Sequence, residues 1–389
     1  MNILLINDYW EGGGAESVFR YQAEILGKDN QVSVFYAFKN ISDLKTNPID
    51  YIYSLKNRRK LNNFLQDKQF DVIIIHNFCG ALSPSVLSAL RLYKRHHQCK
   101  IVHYAHDFHL VCPNRGYSYF ENGETINFTH PPRFSEYITK RLDYRGFIHS
   151  TLKKKQWFWA YKILKLQNAF DLILCPSDFL AHQIRSLYPA LNVDKLYNPC
   201  LSLAALKPQK SEKTPQMKMV YFGRLSQEKG LVNFINALAH SNIDYSFTMI
   251  GEGEDKTRIE KTIEDNRLNN KVFLKPKMTQ NELYSQLPEY NIFVLPSLWY
   301  ENAPLSIVEA AGAGLGLFLA NHGGTLEIGK ICNCTHFFNP FDKNDIVSKI
   351  ENLYIDFSKN ETKYADTKLL KELFGEDNYL KNLKKFLGE

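Results

Sequence analysis

The sequence predicts an α/β protein built from two doubly wound domains, and three observations carry that prediction. Short apolar runs alternate with helix-like segments through the first half, the alternation starts afresh after a polar stretch at 210–216, and 389 residues exceed what one ordinary core holds. Alternation of this kind implies parallel strands joined by crossover helices.

In chain order, the first set of candidate strands is 3–6, 32–36, 72–75, 101–105 and 172–175. The second set is 220–222, 245–250, 272–274, 292–295 and 316–320, with a linker between 197 and 216. The expected division is therefore 1–200, 201–363 and a helical end at 364–389. Ligands of open α/β sheets sit beyond the carboxyl ends of the strands, so two such domains facing each other place both sets of loops around one cleft.

Hydrophobic residues at 44% with 23% charged describe a globular chain, and no apolar run approaches the roughly 18 residues that cross a bilayer. Residues 1–7 lack a basic start and a small-residue cleavage site and read as a buried strand, which places the protein in the cytoplasm. Seven scattered cysteines argue against a disulfide framework, and Cys332 with Cys334 has no partner pair at zinc-ligand spacing. The net charge of +7 concentrates between 133 and 165, where Lys140, Arg141, Arg145, Lys153, Lys154, Lys155 and Lys162 are interleaved with aromatic residues. That composition suits peripheral contact with an anionic membrane; the other reading buries the aromatics and leaves the lysines as a solvated face. No recognition motif accompanies it, so nucleic acid is not an expected partner.

The chemistry-bearing residues follow the predicted strands. Gly12-Gly13-Gly14-Ala15-Glu16 lets backbone N–H groups of Gly13 and Gly14 approach a phosphate or sugar, and it lacks the G-x-G-x-x-G spacing of a dinucleotide site. His106-Asp107 follows a first-domain strand; an imidazole with a pKa near 6.5 can donate or accept a proton near neutrality. Gly223-Arg224-Leu225-Ser226-Gln227-Glu228-Lys229-Gly230 places a guanidinium fork and a mobile ammonium within five positions, suited to a diphosphate. Glu301-Asn302-Ala303-Pro304-Leu305-Ser306-Ile307-Val308-Glu309 sets two carboxylates eight positions apart across a loop-to-helix junction. Pro304 fits the first turn of that helix and Asn302 its cap; the free N–H groups near Leu305 and Ser306 favour phosphate, and the glutamates can hold sugar hydroxyls.

These motifs together resemble family 4 of the retaining nucleotide-sugar glycosyltransferases, whose signature is Glu, seven residues, Glu. Leu295-Pro296-Ser297, Gly314 and His322-Gly323-Gly324-Thr325-Leu326-Glu327 fall in the family's order, as does the Gly-Gly-Ala-Glu loop, while Leu315 and Gly316 depart from its usual polar residue and proline. The resemblance implies the GT-B architecture, with the chain's end packing back on the first domain. It implies His106 facing the transferred sugar, Arg224 and Lys229 on the diphosphate, Glu301 on the sugar and Glu309 on the nucleotide ribose. Asn302, Ala303, Leu305, Ser306, Gly223 and Gly251 would line the donor, and Lys275 stands where the family commonly has a glycine beside the base. His76-Asn77 would line the acceptor side.

The implied reaction is transfer with retention from a UDP- or GDP-linked sugar, with no metal and no cofactor, by front-face displacement in which neither glutamate is a nucleophile. The implied acceptor is a glycan or polyprenyl-linked glycan of bacterial surface polysaccharide, the enzyme lying on the inner face of the membrane. A sugar-nucleotide epimerase or hydrolase would instead turn over without acceptor, and a non-catalytic sensor would bind donor and release nothing.

Overall fold

The computed structural model describes residues 1–40, 42, 47–206 and 216–388. The polar stretch at 210–216 that marked the linker lies outside these residues except for Gln216. The chain divides into two units, Met1–Asn198 with Leu380–Glu389, and Pro199–Tyr379.

The first unit is a six-stranded parallel sheet with strands β1 (Asn2–Tyr9), β2 (Gln31–Phe38), β3 (Val72–Ile75), β4 (Lys100–Tyr104), β7 (Leu172–Cys175) and β8 (Val193–Lys195). Their order is β2-β1-β3-β4-β7-β8, so the winding reverses between β1 and β3. Strand β3 reads Val-Ile-Ile-Ile and is wholly buried, because a central parallel strand is covered on both faces and keeps no polar side. At the edge, β2 is only partly buried. A two-stranded antiparallel hairpin, β5 (Ser118–Glu121) with β6 (Glu124–Asn127), is inserted after β4. The chain's last residues return to this unit: Lys384 pairs with Asp29 at 2.6 Å, and Leu383 and Leu387 are buried.

The second unit repeats the plan with β9 (Met217–Phe222), β10 (Tyr245–Ile250), β11 (Val272–Lys275), β12 (Ile292–Leu295), β13 (Gly316–Ala320) and β14 (Thr335–Phe338). The order β11-β10-β9-β12-β13-β14 is parallel throughout and reverses between β9 and β12. Its core is formed by side chains such as Phe234, Phe247, Phe293 and Phe318, all without exposure.

Every predicted run coincides with one of these strands. Three-residue β8 (Val-Asp-Lys), β14 and the hairpin were not predicted, since none carries a sustained apolar run. The helical end is two helices, Thr367–Phe374 and Glu376–Leu387, parted at Gly375, whose extended ψ of 157° ends the first. All seven cysteines are free and buried. Leu315 immediately precedes β13 and Gly316 opens it, with Leu315 1% exposed; the departure from the family pattern falls in the core at the amino end of the strand, opposite its carboxyl end.

Candidate functional site

In the second unit the loops after β9 and β12 flank the point where strand order reverses, the place where open α/β sheets bind ligands. Lys229 comes from the first loop and Glu301 from the second, and they meet with Nζ 2.6 Å from Oε1. That same oxygen accepts from Ser297 Oγ at 2.6 Å and from the Trp299 indole at 2.9 Å. Burial alone raises the Glu301 pKa, but the Lys229 charge and the three hydrogen bonds outweigh it and hold the carboxyl below its ordinary value. Glu301 is therefore ionised, oriented and nearly sealed, at 9% exposure.

Arg224 lies beside this pair. Its Nη2 donates to Glu228 Oε1 at 2.6 Å, Glu228 also accepts from Ser226 Oγ at 2.7 Å, and the Glu228 carbonyl takes the Leu298 N–H at 2.8 Å. The arginine side chain remains over half exposed, so its fork can turn to a ligand. Two glycines permit the approach of these loops. A Cβ on Gly251 would stand 1.9 Å from the Gly223 carbonyl oxygen, and one on Gly230 would stand 2.1 Å from the Pro296 carbonyl. Gly230 also has φ +69°, in the left-handed region that costs other residues about 1–2 kcal/mol. Gly230→Ala is expected to destabilise the protein by more than about 2 kcal/mol in urea unfolding, since strain and overlap add. A change within about 0.5 kcal/mol would void this account of the loop contact.

The Glu301–Glu309 segment differs from expectation at its helix start. The helix is Leu305–Gly312, so Pro304 precedes it in an extended conformation (φ −72°, ψ 108°), and no side chain caps it. Proline disfavours helical geometry in the residue before it, which keeps Ala303 out of the helix. Asn302 therefore sits in a loop, which is tied down where the Gly324 N–H donates to the Glu301 carbonyl at 2.8 Å. His322 supports the same loop from behind, its Nε2 2.9 Å from the Ser297 carbonyl. Leu305 and Ser306 open the helix and present its positive end. Glu309, in the second turn, accepts from Tyr284 Oη at 2.7 Å; burial raises its pKa against the hydrogen bonds of Tyr284, Gln280 and Ser202.

Lys275 closes β11: its Nζ donates to Gln286 Oε1 at 2.9 Å, and its carbonyl accepts the Gly251 N–H at 3.1 Å.

In the first unit the glycine loop carries an internal contact. Glu16 folds back onto it, Oε2 accepting the Gly13 N–H at 2.8 Å, and Gly14 is the first residue of the helix Gly14–Leu26. The carboxylate thus occupies the position a phosphate would take at that N–H.

His106 is held by a chain of hydrogen bonds that the sequence reading underweighted. Its Nε2 lies 2.8 Å from His76 Nδ1, and His76 Nε2 lies 3.0 Å from Gln22 Oε1. With the amide oxygen of Gln22 accepting, His76 carries its proton on Nε2, so His106 must donate from Nε2 and keep Nδ1 as an acceptor. His76 also stacks on Tyr104, with centroids 5.4 Å apart. Burial, then the neighbouring His103, pushes the His106 pKa down to about 3. This corrects the expectation of a group titrating near neutrality: His106 is a neutral imidazole, fit to accept or donate a hydrogen bond but not to act as a cation. Asp107 caps the loop, accepting the His109 N–H at 2.9 Å, and faces Arg115 at 3.6 Å.

The sequence reading missed Gln22, Ser297, Trp299, Tyr284 and Glu228 as supports of the site. Ser297 and Trp299 carried a signal, since both fall between β12 and Glu301; Gln22 lies mid-helix and carried none.

A family model described as "Glycosyltransferase Family 4" matches residues 12–199, and one described as "Glycosyl transferases group 1" matches residues 204–367. The amylovoran biosynthesis glycosyltransferase AmsK of Erwinia amylovora is 30% identical over 120 residues, which is 29% of this chain and 30% of that protein. Two solved structures are similar over nearly all of both chains. The apo form of the lipopolysaccharide outer core galactosyltransferase WaaB has a TM-score of 0.68 at 15% identity, covering 99% of this chain and 98% of its own. Anabaena Alr3699/HepE in complex with UDP has a TM-score of 0.69 at 16% identity, covering 100% and 99%. At such identities the likeness shows the fold, two parallel-sheet α/β domains of GT-B type.

Proposed function

The chain belongs to the glycosyltransferases of family 4 and group 1, and from that premise we propose that it transfers a sugar from a nucleotide-diphosphate donor to an acceptor hydroxyl with retention at the anomeric carbon. The observation that carries this reading is the Lys229–Glu301 pair at the strand-order reversal of the second unit, with Arg224 beside it.

Lys229 and the Arg224 fork hold the donor diphosphate and stabilise the charge that develops on it as the nucleotide leaves. Glu301, kept ionised and fixed by Ser297 and Trp299, accepts hydrogen bonds from hydroxyls of the transferred sugar. Glu309 does the same for the ribose, once Tyr284 yields. His106, a neutral imidazole whose Nε2 is engaged by His76, accepts from a sugar hydroxyl at Nδ1. The acceptor oxygen bonds to the anomeric carbon on the face the leaving group departs from. The glycosidic C–O electron pair goes to the diphosphate, whose oxygen takes the acceptor's proton. The protein contributes position and charge, not a covalent bond.

A donor linked to UDP is supported by the Alr3699/HepE complex with UDP, and a place in bacterial glycan assembly by the likeness to the amylovoran biosynthesis glycosyltransferase AmsK. Among the described residues no helix is long and apolar enough to cross a membrane.

The test is turnover of the full chain with UDP- and GDP-linked sugars and a lipid-linked glycan acceptor in excess EDTA. Retained anomeric configuration in the product, read by NMR coupling, and undiminished rate in EDTA are expected. An inverted product, a rate restored only by Mg²⁺ or Mn²⁺, or equal nucleotide release without acceptor would each refute the corresponding part.

A further inference from the structure

The basic and aromatic stretch at 133–165 does not form one uniform face. Lys153 and Arg145 turn inward to Asp143, each with a nitrogen 2.9 Å from Oδ2, and Lys140 pairs with Glu121 at 3.1 Å. Tyr161 and Trp157 are buried, whereas Phe134, Ile138, Phe147 and Phe158 are 64%, 59%, 69% and 41% exposed. A Lys153, Lys154 and Lys155 charge reversal would therefore break a buried ion pair as well as any surface attraction.

What the exposed residues form is a cavity of about 350 Å³, within the roughly 300–1,000 Å³ of small-ligand sites. Phe134, Ile138, Phe147 and Phe158 wall it, and Tyr137 stacked on Trp157 at 4.7 Å floors it. Lys154 and Lys155 also line it. We propose that this cavity binds the hydrocarbon chain of an anionic lipid, the tail of the acceptor itself, with the lipid phosphate at Lys155. The proposal rests on the transferase reading above and names its acceptor class.

Three observations commit the cavity to a lipid chain. First, three of its polar groups already have protein partners, the buried Trp157 indole N–H having none: Tyr137 Oη donates to the Val111 carbonyl at 2.9 Å, Thr151 Oγ1 to that of Phe147 at 2.9 Å and Lys154 Nζ to that of Ile138 at 2.9 Å. A peptide laid there would leave its own amides unpaired, which a hydrocarbon chain does not. Second, Lys155 is exposed and makes no ion pair among the described residues, so one cation stands free for a phosphate. Third, the cavity adjoins the loop that carries His106. Pro113 of that loop lines it, Tyr137 is bonded to Val111, and Trp157 packs edge-on against Tyr161, whose hydroxyl lies 3.1 Å from His109 Nδ1. A tail seated here lies against the loop that carries His106 in the same unit.

The experiment titrates the full chain with monomeric farnesyl phosphate, below its aggregation threshold, and follows tryptophan fluorescence and heat; UDP is titrated into the same samples. One saturable site is expected, unaffected by excess inorganic phosphate. Phe147→Asp and Phe134→Asp, both at exposed positions that leave the fold intact, should each weaken it at least tenfold, and Lys155→Glu several-fold. Ile163→Asp, exposed but outside the cavity, should leave it unchanged. UDP affinity should be the same in all variants, and a wild-type chain that binds UDP but no lipid would overturn this inference and leave the transferase reading standing. Absence of saturable binding to the monomer, with binding only to phosphatidylglycerol vesicles, would overturn it in favour of a plain electrostatic surface. Wild-type affinity in both phenylalanine variants would overturn it equally.

Discussion

Lys229→Ala is expected to lower turnover by tenfold to about a hundredfold and to destabilise the fold at the same time. The first effect follows from losing a charge-assisted contact to the departing diphosphate, typically about 1.5–3 kcal/mol. The second follows from the 2.6 Å pair itself: with Lys229 gone, Glu301 is a nearly sealed carboxylate left with two neutral donors, Ser297 and Trp299. Breaking one half of a buried pair costs about 3–5 kcal/mol. The double variant Lys229→Ala, Glu301→Gln removes the stranded charge, so urea unfolding should recover much of the lost stability while nucleotide release stays slow. If the single variant turns over normally, Lys229 does not touch the diphosphate. If the double variant is no more stable than the single one, the pair is not what holds this loop.

Acid is expected to destabilise the first unit strongly between pH 6.5 and 4, from histidines that burial keeps neutral despite Asp107 and Arg115 in the same loop. Burial pushes His103 down to about 4, burial with the like charge of Arg115 brings His109 to about 3, and burial with His103 as neighbour brings His106 to about 3. The unfolded chain takes up those protons near pH 6.5, whereas the folded chain resists until pH 3–4, so the unfolded state binds more protons and stability falls as pH falls. Each such histidine removes on the order of 1.4 kcal/mol per pH unit across that window. Glu301 acts in the same direction lower down. Its depressed pKa contributes stability present above the ordinary carboxylate range and lost as pH drops through the folded value. Glu309, raised by burial, opposes it in part. Unfolding free energies from urea titration should be level from pH 7.5 to 8.5 and several kcal/mol lower by pH 5. Equal stability at pH 5 and pH 7.5, or histidine NMR signals of the first unit titrating near 6.5, would contradict the burial assigned to them.

The legible parts of the chain were those where local pattern and burial agree. Strand β3 could be placed from Val-Ile-Ile-Ile alone, because a central parallel strand must be apolar on both faces. The loops after β1, β4, β9 and β12 could be singled out because polar and glycine residues there interrupt such runs at their carboxyl ends. Edge strand β8 could not be, since Val-Asp-Lys pairs only at one side and needs no apolar alternation. The cap lies at Pro304 and not at Asn302, two positions later than expected, because Pro304 suits a first helical turn and the preceding extended leg equally well, and the leg is held extended by contacts such as the Gly324 N–H on the Glu301 carbonyl.

By itself the sequence determined the α/β class, the two rounds of strand and helix, the family, and the residue types able to meet a diphosphate and a sugar, because each is written in spacing of a few positions. Only the tertiary structure decided which of those residues meet and in what charge state. Glu301 finds Lys229 seventy-two positions away, His106 is made neutral by burial against His76 and His103, and Lys153 is turned inward by Asp143. Ionisation and hydrogen bonding depend on distance and desolvation, which no run of neighbouring letters specifies.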